Sequence, residues 1–262
     1  MRFGVILISF ISSNIERNSM NKKTIGILGG MGPEATLDCF GKIIKNTPAQ
    51  RDQDHLRVVI DSNPAVPDRT AAIVEDGPSP VPMIVEGCHA LEKAGADFII
   101  IPCVSAHLFV AEIQQQVNLP ILSIFDAVAE TIIRGYPQIK TVGLLGTTGT
   151  VKGGLFQKRL AREKIKTVVP DETVQSTIMN AIYDIKNTAP PRARAEITAD
   201  LVAAAEGLKV NKPDGARAII AGCTEIPLAL GQQDLSIPYF DSLTILTRAA
   251  IRRAGVTPVA VS

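Results

Sequence analysis

The chain lacks several things that would announce a function. It has no excess charge of either sign, with 27 Lys and Arg against 26 Asp and Glu. Neither nucleic acid nor an anionic membrane surface is therefore an expected partner, and any working charge must be local. Only four cysteines occur, Cys39, Cys88, Cys103 and Cys223, and no two stand in a C-x-x-C pair. The three histidines, His55, His89 and His107, do not complete a zinc-ligand spacing either, so no metal is expected. Four such cysteines do not make a disulfide framework, and free thiols fit a reducing, cytoplasmic compartment. Long apolar runs are also missing: none reaches the ~18 residues of a membrane helix. The apolar run over residues 3–11 looks like the opening of a signal peptide, but it is short and no A-x-A site follows. The expectation is an extension over residues 1–21 ahead of a protein that begins near Met20, with an exported form as the alternative.

What is present is an internal echo. Thr24-Ile25-Gly26-Ile27-Leu28-Gly29-Gly30-Met31-Gly32 is repeated as Thr141-Val142-Gly143-Leu144-Leu145-Gly146-Thr147-Thr148-Gly149. Phe98-Ile99-Ile100-Ile101-Pro102-Cys103 is repeated as Ala218-Ile219-Ile220-Ala221-Gly222-Cys223, and the segment from Leu119 to Asp126 matches that from Leu235 to Asp241. The offset is about 115 to 120 residues, the signature of duplication. At 262 residues the chain has room for two such halves with a sizeable core.

Short β-branched runs bounded by Gly and Pro alternate with segments of helical period, which predicts an α/β fold of parallel strands. Two similar lobes are expected, each a mostly parallel sheet flanked by helices and related by a pseudo-two-fold. Strands are expected at 24–28, 58–61, 98–102, 121–123, 141–145, 165–168, 218–221 and 237–239. Helices are expected at 33–46, 82–94, 105–117, 154–163, 172–187, 192–208 and 243–254. If the closing strand of each half packs into the other lobe, residues 22–120 plus 236–262 form the first lobe and 121–235 the second.

Ligands of open parallel sheets sit beyond the carboxyl ends of the strands, where both Cys103 and Cys223 fall. Each thiol lies near an expected helix N-terminus, whose partial positive charge favours thiolate and would lower the pKa from about 8.5. A strand cysteine is often only a small core residue, but matched placement in two repeats points to chemistry. Cys39 and Cys88, on expected helices, read as packing. The turn Gly29-Gly30-Met31-Gly32-Pro33-Glu34-Ala35 resembles a dinucleotide loop, but Pro33 removes a donor and Glu34 adds a negative charge, so a small anion such as a carboxylate suits it better. Asp68 in Asn63-Pro64-Ala65-Val66-Pro67-Asp68-Arg69-Thr70 is a helix cap, whereas Arg69 is suited either to grip a carboxylate or to form a surface salt bridge. Among Thr147, Thr148 and Thr150 nothing favours one as a ligand contact. Lys186 ends a helix, where the dipole favours a cation with or without a ligand. His107 is a candidate Cys–His partner for Cys103, set against a packing role.

These residues resemble the aspartate/glutamate racemase family, and in particular the cofactor-independent aspartate racemases. The family's G-G-M-G-P-E-A-T, N-P-x-x-P-D-R-T, P-C-N-T-A-H and G-C-T-E-I motifs are met almost throughout and in order, between about Lys23 and Arg253. The resemblance implies Cys103 and Cys223 as thiolate base and thiol acid on either side of the substrate's α-carbon, without cofactor or metal. It implies substrate contacts from Met31, Arg69, Val104, Ser105, Gly149, Lys186 and Thr224, with Arg69 and Lys186 at the side-chain carboxylate and Thr224 and the Gly149 turn at the α-carboxylate. It also implies a small acidic amino acid as partner and a homodimer. There is one clear departure: Cys103-Val104-Ser105 stands where the family has C-N-T. Ser105 keeps a hydroxyl, but Val104 cannot offer the amide of an asparagine. Two alternatives remain beside racemisation: decarboxylation or cis–trans isomerisation of a small dicarboxylate on the same fold, and a non-catalytic acidic amino-acid binder.

Overall fold

The computed structural model describes residues 22–210 and 215–260; the expectations for the N-terminal extension lie outside them. Two parallel sheets form. In the first, β1 (Ile25–Gly29) lies between β2 (Val58–Ser62) and β3 (Phe98–Ile100), in register Ile25 with Val58 and with Phe98. In the second, β4 (Thr141–Gly146) lies between β5 (Lys166–Val168) and β6 (Ile219–Gly222), and β7 (Tyr239–Asp241) adds beyond β6. The first sheet has its own counterpart of β7, a single parallel bridge from Ile121 to Ile99. Strand for strand the two halves match, which is the duplication seen in sequence.

Ten α-helices are described: α1 (Pro33–Asn46), α2 (Arg69–Val74), α3 (Val81–Lys93), α4 (Val110–Ile113), α5 (Ile124–Gly135), α6 (Thr148–Gly153), α7 (Leu155–Ala161), α8 (Glu172–Lys186), α9 (Arg194–Val210) and α10 (Ser242–Arg253). Their starts follow capping chemistry. Asp68, Ser123, Thr147, Asp171 and Asp241 each accept from a backbone N–H of the first turn, and Pro33 fills the first position of α1 without losing a needed donor.

Strand residues alternate between two layers. Ile100 and Ile220 face a central core shared by both lobes, with Phe125, Phe156 and Leu246, whereas Ile99 and Ile219 face outer cores under α3 and under α8 and α9. Both sheets are thus covered on both faces, the reason their strands read as nearly continuous apolar runs.

Three expectations are corrected. The closing strands do not exchange lobes: Ile121 bridges Ile99 and β7 pairs with β6, each within its own half. The helices that follow them cross over instead. α5 packs on α7 of the second half, and α10 packs on α1 of the first and on α5. Lys42 in α1 pairs with Asp241, and Arg248 in α10 donates to Asn46 Oδ1, fastening that crossing. Secondly, the expected strand 121–123 is cut to one bridge because Ser123 caps α5, a helix absent from the expectations. Thirdly, the expected helix 105–117 is a 3-10 turn (Ser105–Phe109) followed by the short α4. There the Gln114 amide donates to the carbonyls of Val117 and Leu119 and accepts from Ile121 N–H, replacing further helical bonds.

Candidate active site

The two cysteines emerge just past the carboxyl ends of β3 and β6, which hold equivalent places in the two sheets. They meet at one tight pocket of about 210 Å³. Met31, Cys103, Val104 and Ser105 line it from the first half. Thr147, Thr150, Lys186, Cys223, Thr224 and Glu225 line it from the second. Most of that volume is thin space between the walls, leaving room for no more than about one water molecule. A wider cleft of about 470 Å³ shares Gly32, Lys186 and Glu225 with it and opens past Pro33 and Thr188, forming its mouth. A roomier groove beside Val168, Val174 and Leu208 offers one acid, Asp171, and no nucleophile.

The first wall is built by the turn after β1. Gly30 has φ of 91°, a left-handed conformation natural to glycine, and a Cβ there would lie 2.4 Å from the Asn63 backbone. The turn aims Gly32 N–H at Glu225 Oε1, 3.2 Å away. An anion does sit at this turn, as the motif suggested, but it belongs to the chain itself. Met31 contributes its side chain to the pocket and its carbonyl to Arg69 Nη2 at 3.2 Å.

Arg69 is 8 % exposed and its Nη1 donates to Val66 O and Pro67 O at 3.0 and 2.8 Å. Its Nε has no acceptor, and no acid pairs with it among the described residues. The surface salt bridge is therefore not formed. A buried guanidinium compensated only by carbonyl dipoles keeps its positive charge unneutralised.

Cys103 Sγ lies 3.6 Å from Ser105 Oγ, and Val104 reaches from the pocket wall into the central core. His107 does not pair with the thiol. Its Nδ1 meets the Cys103 carbonyl at 2.9 Å and its ring stands edge-on to Phe125, so it braces the turn. Burial pushes its pKa down, which keeps the ring neutral.

On the second wall, Thr147 and Thr150 line the pocket, their hydroxyls 3.0 Å apart. Gly149 stands elsewhere: a Cβ there would lie 3.1 Å from Thr70 Oγ1 and Ile73 Cδ1, so it is where α6 meets α2 across the lobes. Thr224 Oγ1 donates across the lobes to Pro102 O at 3.0 Å. Lys186 Nζ is 3.7 Å from Glu225 Oε1, and its pKa is raised: burial opposes the charge, but Glu225 and then the two cysteines favour it more.

Cys223 departs from the expected thiolate-favouring setting. Its Sγ donates to Glu225 Oε2 at 2.9 Å, and burial, then the Glu225 charge, push the thiol well above its ordinary pKa, with Lys186 pulling the other way. The helix that follows is only a 3-10 turn, Ile226–Leu228, with little dipole to oppose this. Glu225 is the group that sequence reasoning left unassigned, although it stands within the quoted Gly222-Cys223-Thr224-Glu225 motif.

With this geometry in place, the comparisons with known proteins are specific. Residues 28–250 match the family model described as Asp/Glu/Hydantoin racemase, and the chain belongs to that family. It is 30% identical over 231 residues to the broad specificity amino-acid racemase RacX of Bacillus subtilis, covering 87% of this chain and 96% of that protein. The solved aspartate racemase of Picrophilus torridus is 32% identical with a TM-score of 0.80, over 90% of this chain and 96% of that one. An aspartate racemase homologue from Pyrococcus horikoshii is 29% identical with a TM-score of 0.68, over 89% and 99%. The α/β fold of two parallel sheets is shared with these racemases. Among the described residues, no helix is long and apolar enough to cross a membrane.

Proposed function

We propose that the chain racemises a small acidic amino acid, aspartate in the first instance, by two-thiol proton transfer at the α-carbon without a cofactor. The observation that supports this reading best is that each repeat contributes one cysteine to a single pocket. Arg69 and Lys186 add positive charge beside it, Arg69 without an acid partner.

In one direction the Cys103 thiolate takes the α-hydrogen, so that a C–H bond breaks and an S–H bond forms. The Cys223 thiol then gives its proton to the opposite face of the carbanion. The α-hydrogen is a very weak acid, so thiol tuning is only part of the answer. Charge moving onto the α-carboxylate needs donors fixed in advance; that Thr147, Thr150 and Thr224 line the pocket and Gly32 N–H lies at its mouth supports their supplying them once the lobes part. The pocket has no room for an amino acid as it stands, so the lobes part at Gly32–Glu225 and Thr224–Pro102 to admit one.

Val104 supports a second reading, a wider substrate range. It presents an apolar wall to the pocket where the family motif has an amide, and RacX is named for broad specificity.

Circular dichroism of the purified protein with single enantiomers of a panel of amino acids tests both readings. Aspartate should lose its signal with no cofactor added, and the Cys103→Ala and Cys223→Ala variants should each stop that loss. Turnover of neutral amino acids at comparable rates would favour the broader range. Either variant racemising at the wild-type rate would remove the two-thiol mechanism. The four free cysteines also support a reducing, cytoplasmic setting.

A further inference from the structure

The group closest to the Cys223 sulfur is an acid for which the reaction above has no task. Glu225 is 3 % exposed, and its two oxygens face different partners. Oε2 accepts from Cys223 Sγ at 2.9 Å and lies 3.3 Å from Thr224 Oγ1, whose single proton also serves Pro102 O. Oε1 accepts from Gly32 N–H across the lobe boundary and faces Lys186. Among the described residues Cys103 has no comparable neighbour: the hydroxyl beside it is the neutral Ser105.

We propose that Glu225 is a third catalytic group, which holds the Cys223 proton in place in the resting enzyme and accepts it on Oε2 whenever Cys223 must act as the base. The inference rests on the two-thiol reading and assigns the asymmetry within it. A carboxylate accepts hydrogen bonds only, so the short sulfur–oxygen contact requires a proton between the two atoms. A thiolate and a carboxylate at that distance, away from water, repel strongly, and Lys186 supplies one positive charge, not two. Cys223 and Glu225 therefore share one proton as a coupled pair.

At rest that proton is on sulfur, and Cys223 is poised as the acid while Cys103 is the base. For the opposite enantiomer the roles reverse. The S–H bond of Cys223 breaks, an O–H bond forms at Oε2, and the negative charge passes from carboxylate to sulfur. Cys103, the thiolate at rest, must first have taken a proton from solvent. The Cys223 thiolate then takes the α-proton, and Cys103 delivers the proton it took to the far face. Oε2 returns its proton to solvent to restore the resting state, and no electron is gained or lost. Substrate helps this transfer. An arriving carboxylate competes with Oε1 for Gly32 N–H and Lys186, and its charge favours moving the proton onto Glu225.

Enantiomers have equal free energy, so kcat/KM must be the same in both directions at every pH. The asymmetry therefore appears in kcat and KM taken separately. The test is carbon-13 NMR of protein labelled at the cysteine β-carbons and titrated with pH, the signals assigned through Cys103→Ser and Cys223→Ser. In Glu225→Gln, which keeps size and an acceptor but loses the charge, the Cys223 midpoint should fall by about one pH unit or more while Cys103 stays nearly unchanged. The kcat for the enantiomer that needs Cys223 as base should fall by about 10²-fold, the other much less, and Glu225→Asp should recover part of the loss. An unmoved Cys223 midpoint in folded Glu225→Gln, or equal loss of kcat in both directions, would overturn the inference. The titration needs no turnover, so the two readings fail separately. Normal racemisation with an unmoved midpoint sinks the role of Glu225 alone, whereas a shifted midpoint in a protein that racemises nothing sinks the two-thiol reaction.

Discussion

At the scale of a single residue, the proposed grip on a carboxylate rests on the setting of Arg69. Its guanidinium is held by the carbonyls of Val66, Pro67 and Met31, which fix its direction without neutralising its charge. Lysine keeps the charge but loses the planar fork that holds those carbonyls and, on the proposed reading, grips a carboxylate at once. Arg69→Lys should raise KM for aspartate by about tenfold or more and change KM for neutral substrates little; steady-state kinetics on both classes checks this. Cys103 and Cys223 were legible in the sequence because duplication set them at matching strand ends. The thiol of Cys88 is pushed up to about 12, mainly by burial, and that of Cys39 is also raised, in keeping with packing roles. Glu225 was not legible. Whether its carboxylate turns back to Sγ or out to solvent depends on the backbone path through the 3-10 turn at Ile226–Leu228, which a sequence motif does not state.

At the scale of elements, the turn from β1 into α1 joins sequence to chemistry most directly. Gly30 combines φ of 91° with a close approach to Asn63, so a methyl group there meets both backbone strain and a clash. Gly30→Ala should cost about 1–3 kcal/mol of stability, read as a lower urea midpoint. It should also reduce activity, because Met31 and Gly32 move with the turn. Most helices and strands were readable from period and punctuation, and α1 was read at both ends. The α5 helix was not. Its sequence from Ile121 to Val128 is apolar enough to read as a strand and its continuation, and the Ser123 cap, with Asp126 three residues on, is the signal that separates the two. The helix expected over 105–117 failed for the converse reason. The Gln114 side chain closes the segment locally, and side-chain bonds of this kind compete with a helix in a way hydrophobic period does not reveal.

Across the whole molecule, the duplication makes two sheets, and the crossing helices make them one body. Because α5 and α10 each leave their own half, the central core runs through both sheets and sets one cysteine-bearing strand end opposite the other. In the sequence a crossing could be posed only as a condition on the closing strands, since the offset between repeats is the same whether a strand, the helix after it or neither changes sides. Beside the pocket the halves meet where α6 packs on α2, but the side-chain hydrogen bonds that span the pocket itself are Gly32 to Glu225 and Thr224 to Pro102, a light closure that suits the opening proposed above.

Exchange of the α-hydrogen in deuterium oxide puts the pair of thiols to the most direct test. With both present, product aspartate should carry one α-deuterium from the first turnover. With Cys103→Ala or Cys223→Ala, inversion should stop while slow exchange persists for one enantiomer only, a different one in each variant, because each remaining sulfur reaches one face. Exchange of the same enantiomer in both variants, or inversion surviving in either, would contradict the account.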